Sequence, residues 1–342
     1  MSDFPQLRPA GVDVDTAAQT KQANPAGQAT QRFGFLLVDR FALMSFASAT
    51  EPLRAANLIA GADLYSVEIL SAAAEMVRSS AGFAVPATDM ARAAPGLHTV
   101  FVLAGGNPED WKAARAAYPA LRRLSREGVR LGGISSGSYL LAEAGLLNDR
   151  DFTIHWEHAP ALKEAFPTLA PRPARFVIDR DRITCGGGIA PLDMMHALIS
   201  DRMGPAFARR VSDWYLHTAI AEPEGPQRGS AVERHGTRHP ALLVALETME
   251  RTLERPLPRT TIARTAGISI RHLDRLFSEE LGAGFSETYR RLRLDQARKL
   301  LAQSPLSISE IAFATGFSSA SHFTRQFKTA FGATPGQMRG DR

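Results

Sequence analysis

Ile311-Ala-Phe-Ala-Thr-Gly-Phe-Ser-Ser-Ala-Ser-His-Phe-Thr-Arg-Gln-Phe327 restates a pattern already present at Ile262-Ala-Arg-Thr-Ala-Gly-Ile-Ser-Ile-Arg-His-Leu-Asp-Arg-Leu-Phe277. The offset is 49 residues up to Gly267 and Gly316; after one inserted residue it is 50, so Phe277 pairs with Phe327 and Gly282 with Gly332. A fixed period marks one supersecondary unit used twice. In each copy a short helix, Ile262 to Ala266 or Ile311 to Thr315, stops at a glycine that can take positive φ. A serine follows, Ser269 in one copy and Ser318 with Ser319 in the other, whose hydroxyl can cap a second helix. Leu273, Leu276 and Phe277, and then Phe323 and Phe327, recur at helical spacing and should pack inward. Arg271, Asp274 and Arg275, and then Ser319, Ala320, Ser321, Thr324 and Arg325, are left on a polar face suited to base edges in a major groove.

Between the copies, residues 286 to 303 contain neither proline nor glycine and read as one helix carrying Arg290, Arg291, Arg293, Arg298 and Lys299. Eighteen residues at about 1.5 Å each span roughly 27 Å. With the width of the modules, that could set two recognition helices about one DNA turn, near 34 Å, apart. Charge follows the same division. Residues 238 to 342 hold 16 Lys and Arg against 10 Asp and Glu, whereas the rest of the chain holds 24 against 25. The basicity is concentrated where DNA would sit.

With Phe331-Gly-Ala-Thr-Pro335 added, residues 311 to 339 resemble the signature of AraC-type transcription regulators, and the likeness extends over residues 240 to 340. The resemblance implies two recognition helices in successive major grooves of double-stranded DNA, a homodimer, and RNA polymerase as a candidate partner. One departure is Arg259, where the family usually has an apolar residue; it could loosen the start of the first module.

At 342 residues the chain should hold about two domains, and 44% apolar residues suffice for their cores. The first 31 residues lack periodicity and any signal-peptide core and read as a disordered tail. No apolar run approaches the roughly 18 residues of a membrane span, so a soluble, cytoplasmic protein without a membrane partner is expected. A single cysteine, Cys185, excludes a disulfide framework and a cysteine-based zinc site. The histidines lack ligand spacing, so neither metal nor cofactor is expected. Glu222-Pro-Glu-Gly-Pro-Gln-Arg-Gly-Ser230 is helix-breaking text typical of a linker. It divides residues 32–221 from a linker over 222–239 and the helix-turn-helix domain.

In residues 32–221, strand-like runs (Phe33 to Val38, Tyr65 to Leu70, Val100 to Ala104, Arg130 to Ile134) alternate with helical ones (Ala49 to Ile59, Trp111 to Arg126, Tyr139 to Ala144). Such alternation predicts an α/β domain with a parallel sheet covered on both faces, ahead of an all-α domain. Ligands bind such sheets beyond the carboxyl ends of the strands, where Gly105-Gly106-Asn107, Gly132 to Gly137 and Gly186-Gly187-Gly188 fall. Gly133-Ile134-Ser135-Ser136-Gly137 matches the nucleophile elbow of serine hydrolases. Asp179 and His196 follow in the right order to complete a triad, with amides near Gly106 and Ser136 as an oxyanion hole; the alternative reading is therefore a serine hydrolase.

Glu51-Pro-Leu-Arg-Ala-Ala-Asn57, Ile154-His-Trp-Glu157 and Gly187-Gly-Ile-Ala-Pro-Leu-Asp193 make this domain similar to the DJ-1/PfpI family, a flavodoxin-type relative of class I glutamine amidotransferases. The likeness is strongest to the form fused to AraC-type modules in regulators of glycine betaine, carnitine and arginine catabolism. Enzymes of that fold place cysteine and then histidine on the elbow, where this chain has Ser135 and Ser136. A serine hydroxyl is a poor nucleophile without a positioned base, so the expectation is a non-enzymatic pocket that senses a small effector. Gly105, Gly106, Ser135 and Ser136 would hold its anionic group. His155, Trp156 and Glu157 would complete the pocket, with the Trp156 face and the Glu157 carboxylate suited to an organic cation. The resulting expectation is a ligand-responsive transcription regulator, an activator, controlled by a small nitrogenous metabolite. The first recognition helix, richer in charge, should supply more base discrimination and the second more backbone anchoring.

Overall fold

The computed structural model describes residues 29–92, 95–106, 110–304 and 306–340. The tail expected over residues 1–31 lies outside them except for its last three residues, and Asn107 of the first glycine turn lies outside as well.

The first domain is built on a sheet of seven strands: β1 (Gln31–Leu37), β2 (Tyr65–Ser71), β5 (Thr88–Asp89), β6 (Thr99–Ala104), β7 (Arg130–Ser135), β8 (Phe176–Asp179) and β9 (Arg182–Cys185). Their order is β5-β2-β1-β6-β7-β9-β8. All neighbours are parallel except β8, which runs antiparallel to β9. A separate hairpin joins β3 (Met76–Arg78) and β4 (Ala84–Pro86). The four expected strands appear within two residues of their predicted limits. β8 and β9, four residues each, are too short to give a periodic signal.

Helices α1 (Leu43–Ala60), α2 (Tyr118–Arg126), α3 (Gly137–Glu143), α4 (Ala159–Ala165), α5 (Ala190–Met203) and α6 (Pro205–Trp214) cover the sheet. The segment expected as one helix from Trp111 to Arg126 begins instead with a 3-10 stretch, Lys112–Ala117, and becomes α-helical only at Tyr118. β1 and β6 are buried on both faces because each face has its own apolar layer. Phe33, Phe35 and Phe101 stack on one side, with centroids 6.4 and 5.6 Å apart, beneath α1 and α5. Leu36, Val100 and Val102 lie on the other, beneath Trp111, Leu121 and Leu140. This is the reason the strands read as continuous apolar runs rather than alternating ones.

The second domain is entirely helical: α7 (Ala231–His235), α8 (Pro240–Arg251), α9 (Arg259–Thr265), α10 (Ile270–Leu281), α11 (Phe285–Gln303), α12 (Ile308–Ala314), α13 (Ala320–Phe331) and α14 (Pro335–Gly340). Each helix-turn-helix has its own core. Leu242, Leu246, Ile262, Leu273 and Phe277 form the first; Leu294, Leu300, Ile311, Phe323 and Phe327 form the second. α11 contributes to both. The second core also takes in Ala161 from α4, so the first domain packs directly into it.

Residues 222–230, helix-breaking in sequence, are tied to both domains. Pro223 accepts a backbone hydrogen bond from Arg175 at 2.8 Å, and Arg175 in turn pairs with buried Asp193 at 2.6 Å. Ser230 and Glu233 close a capping box that starts α7.

Candidate nucleic-acid interface and elbow site

The two modules start their second helices in the same way. Ser269 Oγ accepts the amide of His272 and Ser319 Oγ that of His322, both at 3.2 Å. Gly267 and Gly316 turn the chain at φ +70° and +76°. At Gly316 a side chain is excluded on contact grounds too, because a Cβ there would lie 2.5 Å from the Leu253 carbonyl oxygen. With Leu273, Leu276, Phe277, Phe323 and Phe327 buried, the remaining faces of α10 and α13 turn outward. Arg271, Arg275, Ser319, Ser321 and Arg325 are exposed, and Asp274, Ala320 and Thr324 are half-buried.

Two members of the first face are already engaged. Arg259 Nη1 donates to Asp274 Oδ2 at 2.9 Å, so the residue expected to loosen the first module ties its leading helix to α10. Arg275 lies 3.8 Å from Glu279 one turn later. Among the described residues, Arg325 has no acidic partner within ion-pair distance. Of the α11 cations, Arg293 is structural: its Nε donates to the Thr315 carbonyl at 2.7 Å and its guanidinium lies 4.1 Å from the Phe317 ring centroid. Lys299 faces the first domain.

The elbow has the backbone its sequence requires. Ser135 ends β7 at φ +58°, a conformation that costs a non-glycine residue energy and persists only where its surroundings impose it. The flanking glycines are steric necessities. A Cβ on Gly133 would meet the Ser138 amide nitrogen at 2.5 Å, and one on Gly137 would collide with the Val102 carbonyl. Because Ala104 pairs with Ser135 across β6 and β7, Gly105 and Gly106 emerge beside Ser135 and Ser136 at the carboxyl edge of the sheet. The 153–157 segment joins them through a 3.4 Å hydrogen bond from the His155 amide to the Ser135 carbonyl. The third glycine turn closes over the elbow: Gly187 packs on Ser135 and Ser45, and Ser45 Oγ accepts the Gly188 amide at 2.8 Å. Ser45 carried no motif in the sequence.

The expected triad is not assembled around Ser135 among the described residues. Among the described residues Ser135 Oγ has no hydrogen-bonded base. Asp179 accepts from Arg180 and from the Asp151 amide, and His196 pairs with Ser212 at 2.9 Å, so the two postulated triad partners are committed elsewhere. Cys185 pairs with Ile134 across β7 and β9, but burial pushes its thiol up to about 12, which keeps it protonated. His155 is held below the usual imidazole range by burial. His158, behind it, is pushed down to about 3 by deeper burial against Trp111 and by His155.

Trp156 departs from its expected use. Its ring is occupied by the chain's own cations, Arg228 of the linker with its guanidinium carbon 4.5 Å from the centroid and Lys299 of α11 with Nζ at 4.9 Å. A ligand cation would have to displace one of them. Sequence reading also missed Gln227. Its Nε2 donates to the carbonyls of Ile154 and Ala174 and to Thr153 Oγ1, while its Oε1 accepts the Trp156 amide at 2.8 Å. A linker glutamine gives no periodic signal; only the fold brings these partners to it.

Two family models match the chain, a helix-turn-helix domain over residues 262–341 and the DJ-1/PfpI family over residues 31–201. The HTH-type transcriptional regulator GlxA of Rhizobium meliloti is 64% identical over 309 residues, 90% of this chain and 95% of that protein. The chain belongs to the AraC-type transcriptional regulators that carry a DJ-1/PfpI domain. The HTH-type transcriptional regulator CdhR of Pseudomonas aeruginosa is 40% identical over 314 residues, 91% of this chain and 92% of its own length. Among solved structures, an AraC family transcriptional regulator from Pseudomonas putida aligns with 54% of this chain and 99% of its own, at 29% identity and a TM-score of 0.48. As in its relatives, the two-module domain of this regulator is a DNA-binding unit. No described helix is long and apolar enough to cross a membrane.

Proposed function

We propose that this regulator is a cytoplasmic activator whose first domain binds a small nitrogenous metabolite, of the betaine, carnitine or amino-acid kind, and thereby changes how two helix-turn-helix modules meet an operator. The single observation that carries the reading is the paired, serine-capped geometry of α10 and α13, which leaves Arg271, Arg275 and Arg325 exposed on otherwise well-packed modules. Ser319, Ala320, Ser321 and Thr324 complete the second face, and Asp274 takes part in the first through Arg259.

The effector site is the elbow. Gly105, Gly106, Ser135 and Ser136 offer amide and hydroxyl groups at the carboxyl edge of the sheet, where a carboxylate is favoured. His155, neutral because of its burial, and Glu157 border it. Trp156 is left out of the effector contacts, since its ring serves Arg228 and Lys299. The protein acts as a sensor rather than an enzyme: among the described residues no base is hydrogen-bonded to Ser135.

A metabolite controls DNA binding only if it favours one domain arrangement over another. Support for such coupling comes from the short path between the sites: His155 hydrogen-bonds the elbow, and its neighbour Trp156 touches both the linker and α11. A homodimer would double the modules on repeated half-sites, and RNA polymerase would be the downstream partner.

The test is a thermal-shift screen of the full chain with glycine betaine, dimethylglycine, carnitine and arginine, followed by operator titration with each hit. A metabolite that raises the melting temperature and shifts operator affinity supports the reading. Salt supplies the check on DNA binding itself: with about six phosphates neutralised, log K against log salt slopes near −5, and a flat response would sink the assignment.

A further inference from the structure

Between the two domains lies a cleft of about 520 Å³, within the range of small-molecule sites. The first domain contributes Ile154, Trp156, Pro171 and Pro173 as an apolar wall, and the linker adds Pro226. Lys163 and Arg172 line it from the same side, Arg228 from the linker and Arg234 from α7, against one lining carboxylate, Glu247. Arg172 and Arg234 are ion-paired with Asp151 and Glu250 at 3.4 and 3.0 Å. Among the described residues, Lys163 and Arg228 have no carboxylate within ion-pair distance.

Lys299, which reaches the Trp156 indole from α11, has none either among the described residues. Burial lowers its basicity, and the charge of Arg228 lowers it further against the opposing pull of Glu157, Asp295 and Glu250. Two like charges are therefore gathered on one ring with no carboxylate in ion-pair contact among the described residues. In a partly dry cleft such an arrangement is costly until an anion enters.

We propose that this cleft binds a small organic anion: a carboxylate drawn to Arg228 and Lys163, with Lys299 adding positive charge from beside Trp156, and a planar or branched apolar body packed against Ile154 and the three prolines. The site is distinct from the elbow and stands whether or not the elbow binds the effector. Its preference has the opposite sign to the cation that the Trp156-Glu157 pair suggests in sequence. Because its walls come from the first domain, the linker and α7, an occupant ties the domains in one arrangement, and DNA and anion must then affect each other's affinity reciprocally.

The test is calorimetric titration of the full chain with benzoate at constant ionic strength, with benzylammonium as its cationic counterpart. One benzoate per chain should bind saturably and benzylammonium should not. The double variant Arg228→Gln, Lys163→Gln should bind benzoate at least tenfold more weakly, whereas Arg228→Lys, Lys163→Arg, which keeps both charges, should stay within about threefold of the parent. Arg275→Ala, Arg325→Ala should bind as the parent does. Absence of saturable benzoate binding, equal binding of benzylammonium, undiminished binding by the glutamine double variant, or a loss confined to the Arg275 and Arg325 variant each overturns the proposal.

Discussion

Arg259, the first residue of α9, is ion-paired at 2.9 Å with Asp274 on the outward face of the recognition helix α10. The pair is about half exposed on both sides, so its contribution to stability is below about 1 kcal/mol. Its larger effect is electrostatic: in the proposed interface, Arg259 neutralises a carboxylate that would otherwise face phosphates.

Asp274→Ala should therefore release Arg259 toward the DNA backbone. The slope of log K against log salt becomes steeper by about 1, the increment of one added phosphate contact. Arg259→Ala, which bares Asp274, should weaken binding to every duplex. Anisotropy titrations at several salt concentrations measure both, and an unchanged slope in Asp274→Ala removes Arg259 from the interface.

The two recognition helices are unequal, and their arginines should fail differently. Arg275→Ala should weaken the specific complex by about 1 to 3 kcal/mol and relax discrimination at one base position. Arg325→Ala, among small residues, should weaken specific and non-specific duplexes alike. Competition binding on a set of single-base operator variants separates these outcomes. Parent-like affinity in both variants at equal salt defeats the placement of the interface.

Gln227 holds the linker to the first domain, and the space for it depends on Gly186, where a Cβ would lie 2.7 Å from the Gln227 side-chain amide carbon. Gln227→Ala should cost about 1–3 kcal/mol, because it leaves the Trp156 amide and the Ile154 carbonyl short of partners. Gly186→Ala should reproduce the loss by displacing the glutamine. Chemical denaturation of the full chain gives the cost, and hydrogen exchange at Trp156 reports whether the linker has come away.

His158 makes stability depend on pH in a defined direction. Folded, it accepts a proton only at about 3; unfolded, it does so near the ordinary imidazole value of about 6.5. The stability tied to the neutral ring is therefore fully present above about 6.5 and is lost as pH falls toward 3, at up to about 1.4 kcal/mol per pH unit. His158→Phe should flatten the fall between pH 6.5 and 4.5 by about one proton. Denaturation midpoints at pH 7.5, 6.5, 5.5 and 4.5 provide the measurement; a parental slope in the variant assigns the pH dependence to other groups.

The modules were legible because their signals are local. Gly267 and Gly316 stop helices, Ser269 and Ser319 start them, and the apolar stripe of α13 recurs every three or four residues. The same holds for β1, β6 and β7, whose burial on both faces leaves unbroken apolar runs. The elbow was legible as well, since Gly133 and Gly137 flank a residue that needs positive φ. The partners of Ser135 were not. Asp179 and His196 satisfy the order of a triad, yet each is held by neighbours that no motif names.

Sequence alone determined the repeat, the α/β alternation, the placement of basic charge and the lack of an elbow cysteine, because each is written in spacing or residue type within about fifty positions. Only the tertiary structure decided what the side chains do. It gave Asp274 to Arg259, seated Gln227 against a segment 71 residues earlier, and brought Arg228 and Lys299 onto Trp156. Those pairings join segments that meet only after both cores have formed, when the balance of burial and charge selects partners that linear order leaves open.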